Sequence, residues 1–446
     1  MINNKKKLTT HKINLKQNLL SKINKKKILI GVIGLGYVGL PLSILFAKNK
    51  FKVIGFDKNK KKIELLNLKK SYIERIKNRE IELLKKRGEF TTKFDKIKKC
   101  DVVIICLPTP LKKNNIPDLS FIKKTIVTIK NKLRQGQLLV LESTSYPGTT
   151  REEIIKKLNK NLKPGKNFFV GFSSERINPG FNESTINRVP KVVSGFSNHC
   201  LDIISSFYQK SFYKIVKSKS LEIAEFSKLL ENIYRAVNIG FINEMKFVAD
   251  KMNIDIYEIL KVASTKPFGF RPFAPGPGIG GHCIPIDPHY LYWKAKKEGI
   301  NANFIKLSAE TNSSVVNFIL TKIKKILKEK KINEKISKIL IIGVAYKRNV
   351  DDIRESASVS LIDRLAKKDF KKIDYFDPYV RLGISTKNFK FNKKSIELNS
   401  KNLKKFDIVI IMTDHDKLNY KFIYKYSKTI IDCRGRYPVD QKVYRA

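Results

Sequence analysis

The 446-residue chain is long enough for two to four domains, and 42% hydrophobic with 29% charged residues describes a globular protein rather than a disordered one. Lys and Arg number 91 against 40 Asp and Glu, a net charge of +51 that would suit nucleic acid, an anionic membrane or nucleotide-bearing substrates. The lysines are spread along the whole chain among abundant Ile and Asn, a bias of the kind AT-rich coding produces rather than a basic patch, so charge alone selects no partner.

Residues 1–26 are Lys/Asn-rich and read as a basic flexible arm, with one short helix near Leu15–Ile23. The uncharged stretch Ile28–Ala47 is long enough to cross a bilayer. It carries Gly31, Gly34, Gly36, Gly39 and Pro41, however, and changes midway from a β-branched run to a helical pattern. A strand, a tight turn and a buried helix fit it better, and no signal-peptide cleavage site follows. Strand–helix–strand then runs through Ile28–Ile33, Tyr37–Asn49 and Lys52–Phe56. Further apolar strands fall at Val102–Leu107, Leu138–Leu141 and Phe168–Gly171. Strands alternating with helices predict a parallel sheet covered on both faces, over residues 27–215. The strand pattern then stops. Leu221–Met252 reads as one long helix, and a Pro/Gly-rich loop from Pro267 to Pro288 interrupts a helical middle domain over 216–330, either a dimerisation element or a core within one subunit. Alternation resumes over 331–446, with strands at Ile339–Val344, Lys372–Phe376, Ile408–Met412 and Thr429–Asp432 and a helix at Val359–Lys367. The expected class is α/β: two Rossmann-like, doubly wound parallel-sheet domains joined by a helical middle.

Cys100, Cys106, Cys200, Cys283 and Cys433 are too few and too dispersed for a disulfide framework, and no C-x-x-C or H-E-x-x-H offers a metal site. A reducing, cytoplasmic setting with no metal and no membrane is the expectation.

Gly34-Leu35-Gly36-Tyr37-Val38-Gly39 follows a predicted strand and opens a predicted helix, the context that gives G-x-G-x-x-G its meaning. Gly34 permits the tight turn, Gly36 lets amides approach a pyrophosphate, and Gly39 lets helix and strand pack closely. Asp57 ends the next strand, 18 residues past Gly39, where a carboxylate holds ribose hydroxyls and disfavours a 2′-phosphate. NAD is therefore expected rather than NADP. Lys62 lies within reach of that ribose. The Cys106-Leu107-Pro108-Thr109-Pro110 loop borders the cofactor if it leaves the carboxyl edge of the sheet; otherwise it is a stiffened turn. The second sheet domain opens with Gly343-Val344-Ala345-Tyr346-Lys347 and lacks the dinucleotide fingerprint, leaving room for a mononucleotide or a sugar-nucleotide diphosphate bound with Lys347.

Gly280-Gly281-His282-Cys283-Ile284-Pro285-Ile286-Asp287 sets a thiol and a carboxylate four residues apart in a glycine-rich loop. The glycines allow close approach of a substrate, and nearby amides favour a thiolate. The other four cysteines adjoin apolar runs and read as small buried hydrophobes. On the long helix Lys228, Asn232 and Arg235 fall at i, i+4 and i+7, a polar stripe that is either solvated or matched to a polar partner.

Together these motifs resemble the nucleotide-sugar 6-dehydrogenases, the family of UDP-glucose and UDP-N-acetylhexosamine dehydrogenases. The likeness runs from about Lys27 to Tyr437. Its other specific pieces are Glu142-Ser143-Thr144, the segment from Ser174 to Gly180, the segment from Tyr346 to Ser356, and Asp432-Cys433-Arg434. The resemblance implies a four-electron oxidation of a nucleotide sugar at C6 with two NAD⁺, through a thiohemiacetal and a thioester on Cys283. It implies proton transfer and oxyanion stabilisation by Lys228 with Asn232, Asp287 orienting the water or serving as base, and Glu175 and Thr144 handling the hydrolytic water. By the same likeness Arg176, Ile177, Lys228, Asn232, Arg235, Phe273, Gly276, Tyr346, Lys347 and Arg434 line the sugar-nucleotide pocket. Tyr37, Val38, Pro108, Thr109, Pro110, Ser143, Thr144 and Arg354 join the glycine loop, Asp57 and Lys62 as cofactor contacts. Pro179 stands where the UDP-glucose branch has a second glutamate, and Ile286 where it has a lysine; both, with His282, resemble the hexosamine branch. The implied substrate is UDP-N-acetyl-D-glucosamine, for O-antigen or capsule synthesis, with UDP-N-acetyl-D-mannosamine or UDP-glucose as alternatives. A homodimer is expected. Two other readings compete: a one-step β-hydroxyacid dehydrogenase, which needs neither Cys283 nor a third domain, and a basic nucleic-acid-binding protein, which needs none of the catalytic side chains.

Overall fold

The computed structural model describes residues 14–73, 75–176, 187–386 and 389–446. They fold as two compact units. The first comprises the described residues up to Thr109, from Asp118 to Arg176 and from 187 to Lys228; the second comprises Pro110–Pro117 and Leu229–Ala446.

The first unit opens with helix α1 (Leu15–Asn24), capped by the Asn14 side chain on the Gln17 amide. Leu19 and Ile23, four residues apart, are buried in the core of the unit, and Lys16 pairs with Asp202 at 2.7 Å. The short helix expected near Leu15–Ile23 is present; what differs from a flexible arm over 14–24 is that its apolar stripe is buried rather than solvated. Residues 1–13 lie outside the described set. Next come β1 (Leu29–Ile33), α2 (Gly39–Lys48), β2 (Lys52–Phe56), α3 (Lys60–Asn67), α4 (Asn78–Arg87), β3 (Gly88–Thr91), β4 (Val102–Ile105) and α5 (Ser120–Ile129). They are followed by β5 (Leu138–Leu141), β6 (Phe169–Phe172), β7 (Lys191–Gly195), α6 (Asn198–Gln209) and β8 (Ile215–Lys217). The sheet order is β3-β2-β1-β4-β5-β6-β7-β8, parallel except at β6–β7. β4, β5 and β6 are buried at every residue, because a parallel sheet has helices on both faces. The uncharged stretch at 28–47 is thus strand, turn and buried helix, and no described helix is long and apolar enough to cross a membrane. Pro41 sits in the first turn of α2, where its missing N–H breaks no intrahelical bond.

α7 (Leu221–Lys251) begins in the first unit and continues into the second. The second unit adds α8 (Ile256–Ala263), α9 (Asp287–Lys297) and α10 (Asn303–Glu329). Gly240 in α7 faces Ser308 and Asn312 of α10 and leaves room for their backbone and side chain. Then come β9 (Lys338–Ile342), α11 (Ala357–Lys367), β10 (Lys372–Phe376), the small hairpin β11 (Ile384–Ser385) and β12 (Lys390–Phe391), and α12 (Ser400–Lys405). β13 (Ile408–Ile411), α13 (Tyr420–Tyr426), β14 (Ile430–Asp432) and β15 (Val443–Arg445) complete the unit. Its main sheet, ordered β10-β9-β13-β14-β15, is parallel throughout. The doubly wound α/β class expected at both ends of the chain is the one observed.

Candidate active site

Two loops leave the carboxyl edge of the first sheet where its strand order reverses between β1 and β4, the usual ligand position in such sheets. Gly34 has φ +93°, and a side chain there would collide with the Cys106 carbonyl; one on Gly39 would strike the Gly34 carbonyl. Gly36 is different. A Cβ on it would meet nothing within 4 Å, so packing against the described residues does not require a glycine there. Backbone amides at the N-terminus of α2 are thereby left open to an anion. Asp57, just past β2, accepts from the amides of Leu35 (3.1 Å) and Asn59 (2.9 Å). It braces the glycine turn from within while standing where a ribose is expected. Lys62 reaches its carboxylate at 3.8 Å and lies over the Tyr72 ring, whose hydroxyl donates to the Leu35 carbonyl. Arg75 stacks on exposed Tyr37 and donates to its carbonyl at 3.2 Å, next to half-buried Val38. The turn, the open glycine and the acid fit a dinucleotide.

The second loop carries exposed Pro108 and buried Thr109. It is tied to the neighbouring Ser143–Thr144 loop by the Leu107 amide, which donates to Ser143 Oγ at 2.8 Å. Pro110 belongs to the second unit, where Tyr290 Oη donates to its carbonyl at 3.2 Å. Beneath the Ser143–Thr144 loop, Glu142 is fully enclosed. Lys191 Nζ lies 2.8 Å from it and the Tyr208 hydroxyl donates to its other oxygen. Burial pushes the Glu142 carboxyl up to about 7 against the pull of Lys191, and the nearby Glu175 adds to the rise. Glu175 stands 3.6 Å from Lys191 Nζ and accepts from the Arg176 amide at 2.7 Å; the Arg176 guanidinium donates to the Pro190 carbonyl at 3.0 Å. Ile177 lies outside the described residues. Lys228 is buried on α7. One turn earlier Glu225 accepts from Gly148 N (2.6 Å) and from Thr150 N (2.8 Å) and Oγ1 (2.6 Å), anchoring the loop that follows Thr144.

In the second unit the cysteine loop is shaped by what packs on it. Gly281 has φ +87°, and a Cβ on it would press the Tyr346 ring at 2.8 Å; one on Gly280 would lie 2.6 Å from Tyr346 Cβ. The Gly281 amide donates to the Arg354 carbonyl at 2.9 Å. The Arg354 guanidinium is forked onto Asp352, with Nε–Oδ1 at 3.0 Å and Nη2–Oδ2 at 2.6 Å. Cys283 is exposed while the other four cysteines are buried, as their apolar settings predicted. Its carbonyl accepts from the amides of Ile286, just before α9, at 3.1 Å and of Asp287, its first residue, at 2.9 Å. Asp287 is buried at the start of that helix and accepts from Asn232 Nδ2 at 2.5 Å. Burial, with the Arg354 charge, lowers the His282 ring to about 4, so it is neutral near pH 7. Among the described residues no cluster of His, Cys, Asp and Glu could hold a metal ion.

The remaining sugar-nucleotide candidates gather in the same unit. Phe273 packs edge-on against Tyr234 of α7, with centroids 5.9 Å apart. Arg434 donates from Nε to the Met412 carbonyl at 2.7 Å and borders Gly276, where a Cβ would lie 3.1 Å from Nη1. Burial and the nearby Arg235 cation lower the Lys347 ammonium. Two like charges so placed suit an anionic ligand between them. Several supporting residues carry no sequence signal of their own. Asn243 accepts from the Gly276 amide (3.0 Å), and Lys246 donates to its carbonyl (2.9 Å). Asn312 accepts from Asn243 at 3.0 Å. Glu225, three residues before Lys228, and Glu142, inside the Glu-Ser-Thr motif, were within reach of the motifs; Lys191 was not.

Comparison with known proteins agrees with this geometry. Residues 28–212 match the NAD binding domain of the UDP-glucose/GDP-mannose dehydrogenase family, 222–314 its central domain and 340–439 its UDP binding domain. A UDP-N-acetyl-D-glucosamine 6-dehydrogenase of Salmonella typhi is 37% identical over 79% of this chain and 82% of its own length. A UDP-N-acetyl-D-mannosamine dehydrogenase of Methanocaldococcus jannaschii is 34% identical over 87% of this chain and 86% of its own. The solved structure of a UDP-D-ManNAc dehydrogenase from Pyrococcus horikoshii superposes with a TM-score of 0.83 at 29% identity, covering 94% of this chain and 99% of that one. The chain therefore belongs to the UDP-glucose/GDP-mannose dehydrogenase family: it is an NAD-dependent UDP-sugar 6-dehydrogenase.

Proposed function

We propose that the protein oxidises UDP-N-acetyl-D-glucosamine at C6 to UDP-N-acetyl-D-glucosaminuronate, for a surface polysaccharide such as O-antigen or capsule. The observation that carries the covalent route is the exposure of Cys283, alone among five thiols, on a loop bared by Gly280 and Gly281 and next to Asp287. NAD⁺, when bound by the glycine turn, Asp57 and the 108–110 and 143–144 loops, supplies the hydride acceptor for each of two oxidations. The C6 alcohol loses a hydride and a proton, and Lys228, assisted by Asn232, holds that proton and steadies the oxygen charge. The Cys283 sulfur adds to the aldehyde, and the thiohemiacetal loses a second hydride and proton to become a thioester. Water then attacks the carbonyl carbon, the C–S bond breaks, and the thiol and uronate are released. Asp287, held by Asn232, orients that water, and Glu175 with Thr144 handles its proton. Arg235 and Lys347, with Arg434, Arg176 and Tyr346, serve the UDP moiety, and Arg354 lies beside the thiol loop. The branch assignment is supported by Pro179, Ile286 and His282 and by the Salmonella typhi relative. UDP-N-acetyl-D-mannosamine is the second reading, supported by the Methanocaldococcus and Pyrococcus relatives.

NAD binding is assigned to residues 27–215, dimerisation to 216–330 and UDP-sugar binding to 331–446. The dimer is supported by exposed Ile223, Phe226, Leu230, Tyr234, Phe241 and Val248, which form a helical stripe along α7. The five cysteines, none in a disulfide, suit a cytoplasmic setting. Purified protein is expected to form two NADH per UDP-N-acetyl-D-glucosamine, with kcat/KM above that for the mannosamine epimer and UDP-glucose. Cys283→Ser is expected to abolish uronate formation. One NADH per sugar, with free aldehyde accumulating, refutes the covalent route.

A further inference from the structure

Among the described residues of the first unit, an enclosed ionic cluster takes no part in the scheme above, yet it touches one of its residues. Lys191, at the start of β7, is almost fully buried, as are Glu142 after β5 and Tyr208 on α6. Its ammonium lies 2.8 Å from Glu142 Oε2, 3.6 Å from Glu175 Oε2 and 3.3 Å from the Ser174 carbonyl, above the rings of Tyr208 and Phe212. One cation thus faces two carboxylates. A buried ion pair is poor evidence of stabilisation in itself, since desolvation of both partners offsets most of their attraction. Its value here lies in where it puts the second carboxylate.

We propose that Lys191, anchored by Glu142 and Tyr208, is a positioning residue for the hydrolytic half-reaction: it holds the Glu175 carboxylate ready to take the proton of the water that cleaves the thioester. The inference rests on the covalent reading of Cys283 and on the assignment of Glu175 to that water. In the step concerned the water oxygen bonds to the thioester carbonyl carbon and the C–S bond breaks. The thiolate takes up a proton, and the proton lost by water passes to Glu175 and on to solvent. No redox partner is involved. Glu142 supports this arrangement as well. It holds the Lys191 ammonium at 2.8 Å and so fixes that charge where it meets Glu175 at 3.6 Å. The groups facing Lys191 are Glu142, Glu175, Tyr208 and the Cys106 thiol, with Arg176 close by on the Pro190 carbonyl.

The test is rapid quench with UDP-N-acetyl-D-glucosamine and NAD⁺, followed by intact mass and a kcat–pH profile. For Lys191→Met, first-turnover NADH formation stays within about three-fold of wild type, while steady-state turnover falls by about 10²-fold. A thioester adduct accumulates, and the acid limb of the profile moves up by about one pH unit because the ammonium that favours ionised carboxylates is gone. Lys191→Arg restores hydrolysis to within about ten-fold. Glu142→Gln, which keeps the shape of the cluster should Lys191→Met fail to fold, moves the acid limb down, since the charge of Lys191 then serves Glu175 alone. An adduct in Glu175→Gln but not in Lys191→Met overturns this inference alone, as does an equal loss of burst and steady state or an unmoved acid limb. No adduct in any variant, Glu175→Gln included, overturns the covalent reading and this inference with it.

Discussion

Strands β1 and β9, one in each unit, end in the same device. Each is followed by a glycine at positive φ, Gly34 at +93° and Gly343 at +81°. Each glycine amide donates at 2.8 Å to the last residue of the next strand, Phe56 or Phe376. A side chain on either would collide with a carbonyl across the topological switch, that of Cys106 or Thr413. In each, the aspartate one residue past the second strand reaches back to loop amides: Asp57 to Leu35 at 3.1 Å, and Asp377 to Val344 at 2.7 Å and Ala345 at 3.0 Å. They part after that point. The first turn goes straight into a helix through bare Gly36. The second is filled by Tyr346 and Lys347 and reaches its helix only at Ala357. Asp377 also accepts from Tyr379 N at 2.8 Å and Val380 N at 3.1 Å and lies 3.1 Å from His415 Nε2, so its carboxylate is saturated by the protein. One turn is left open for a dinucleotide; its counterpart is closed.

The largest effects should come where the two turns agree. Gly34→Ala and Gly343→Ala are each expected to lose about 3 kcal/mol, read as a drop in the unfolding midpoint. A harmless Gly343→Ala would end the equivalence. Gly36→Val separates them: it should raise KM for NAD⁺ on the order of 10²-fold, about 3 kcal/mol, with the unfolding midpoint unchanged. Asp377→Asn is expected to cost about 3 kcal/mol against about 1 kcal/mol for Asp57→Asn, by denaturant titration. Burial pushes the Asp377 carboxyl up, but the hydrogen bond and charge of His415, with the amides of Ala345 and Tyr379, outweigh it and hold the group below the ordinary range. Its stabilisation is therefore full above the unfolded value near 4 and fades as pH falls through the lower folded value, a limb that Asp377→Asn should lack. The smallest effect belongs to Lys62→Ala. A half-buried pair as long as 3.8 Å should change KM for NAD⁺ by less than about two-fold.

The first turn was legible because three glycines at fixed spacing announce it. The second has Gly343 alone, and nothing near Asp377 in sequence points to its five partners. The cysteine loop was readable for the same reason as the first turn, since Gly280 and Gly281 mark a close approach, although the tyrosine that makes it lies 65 residues on. Lys191 was invisible beforehand because its partner Glu142 is 49 residues away and only the sheet brings them together. The α1 helix is legible in the sequence but its burial is not, because Leu19 and Ile23 sit in a Lys/Asn-rich stretch whose composition favours solvation.

The Pro/Gly-rich segment before Cys283 invites description as a flap, and the grip on Gly276 argues otherwise. Asn243 holds its amide and Lys246 its carbonyl, so the backbone is pinned on both sides by a single long helix. A loop so tethered has already surrendered its freedom before any ligand arrives, and little ordering entropy is left to charge against affinity. Slow amide exchange at Gly276 in the ligand-free protein, lost in Asn243→Ala, would be its signature.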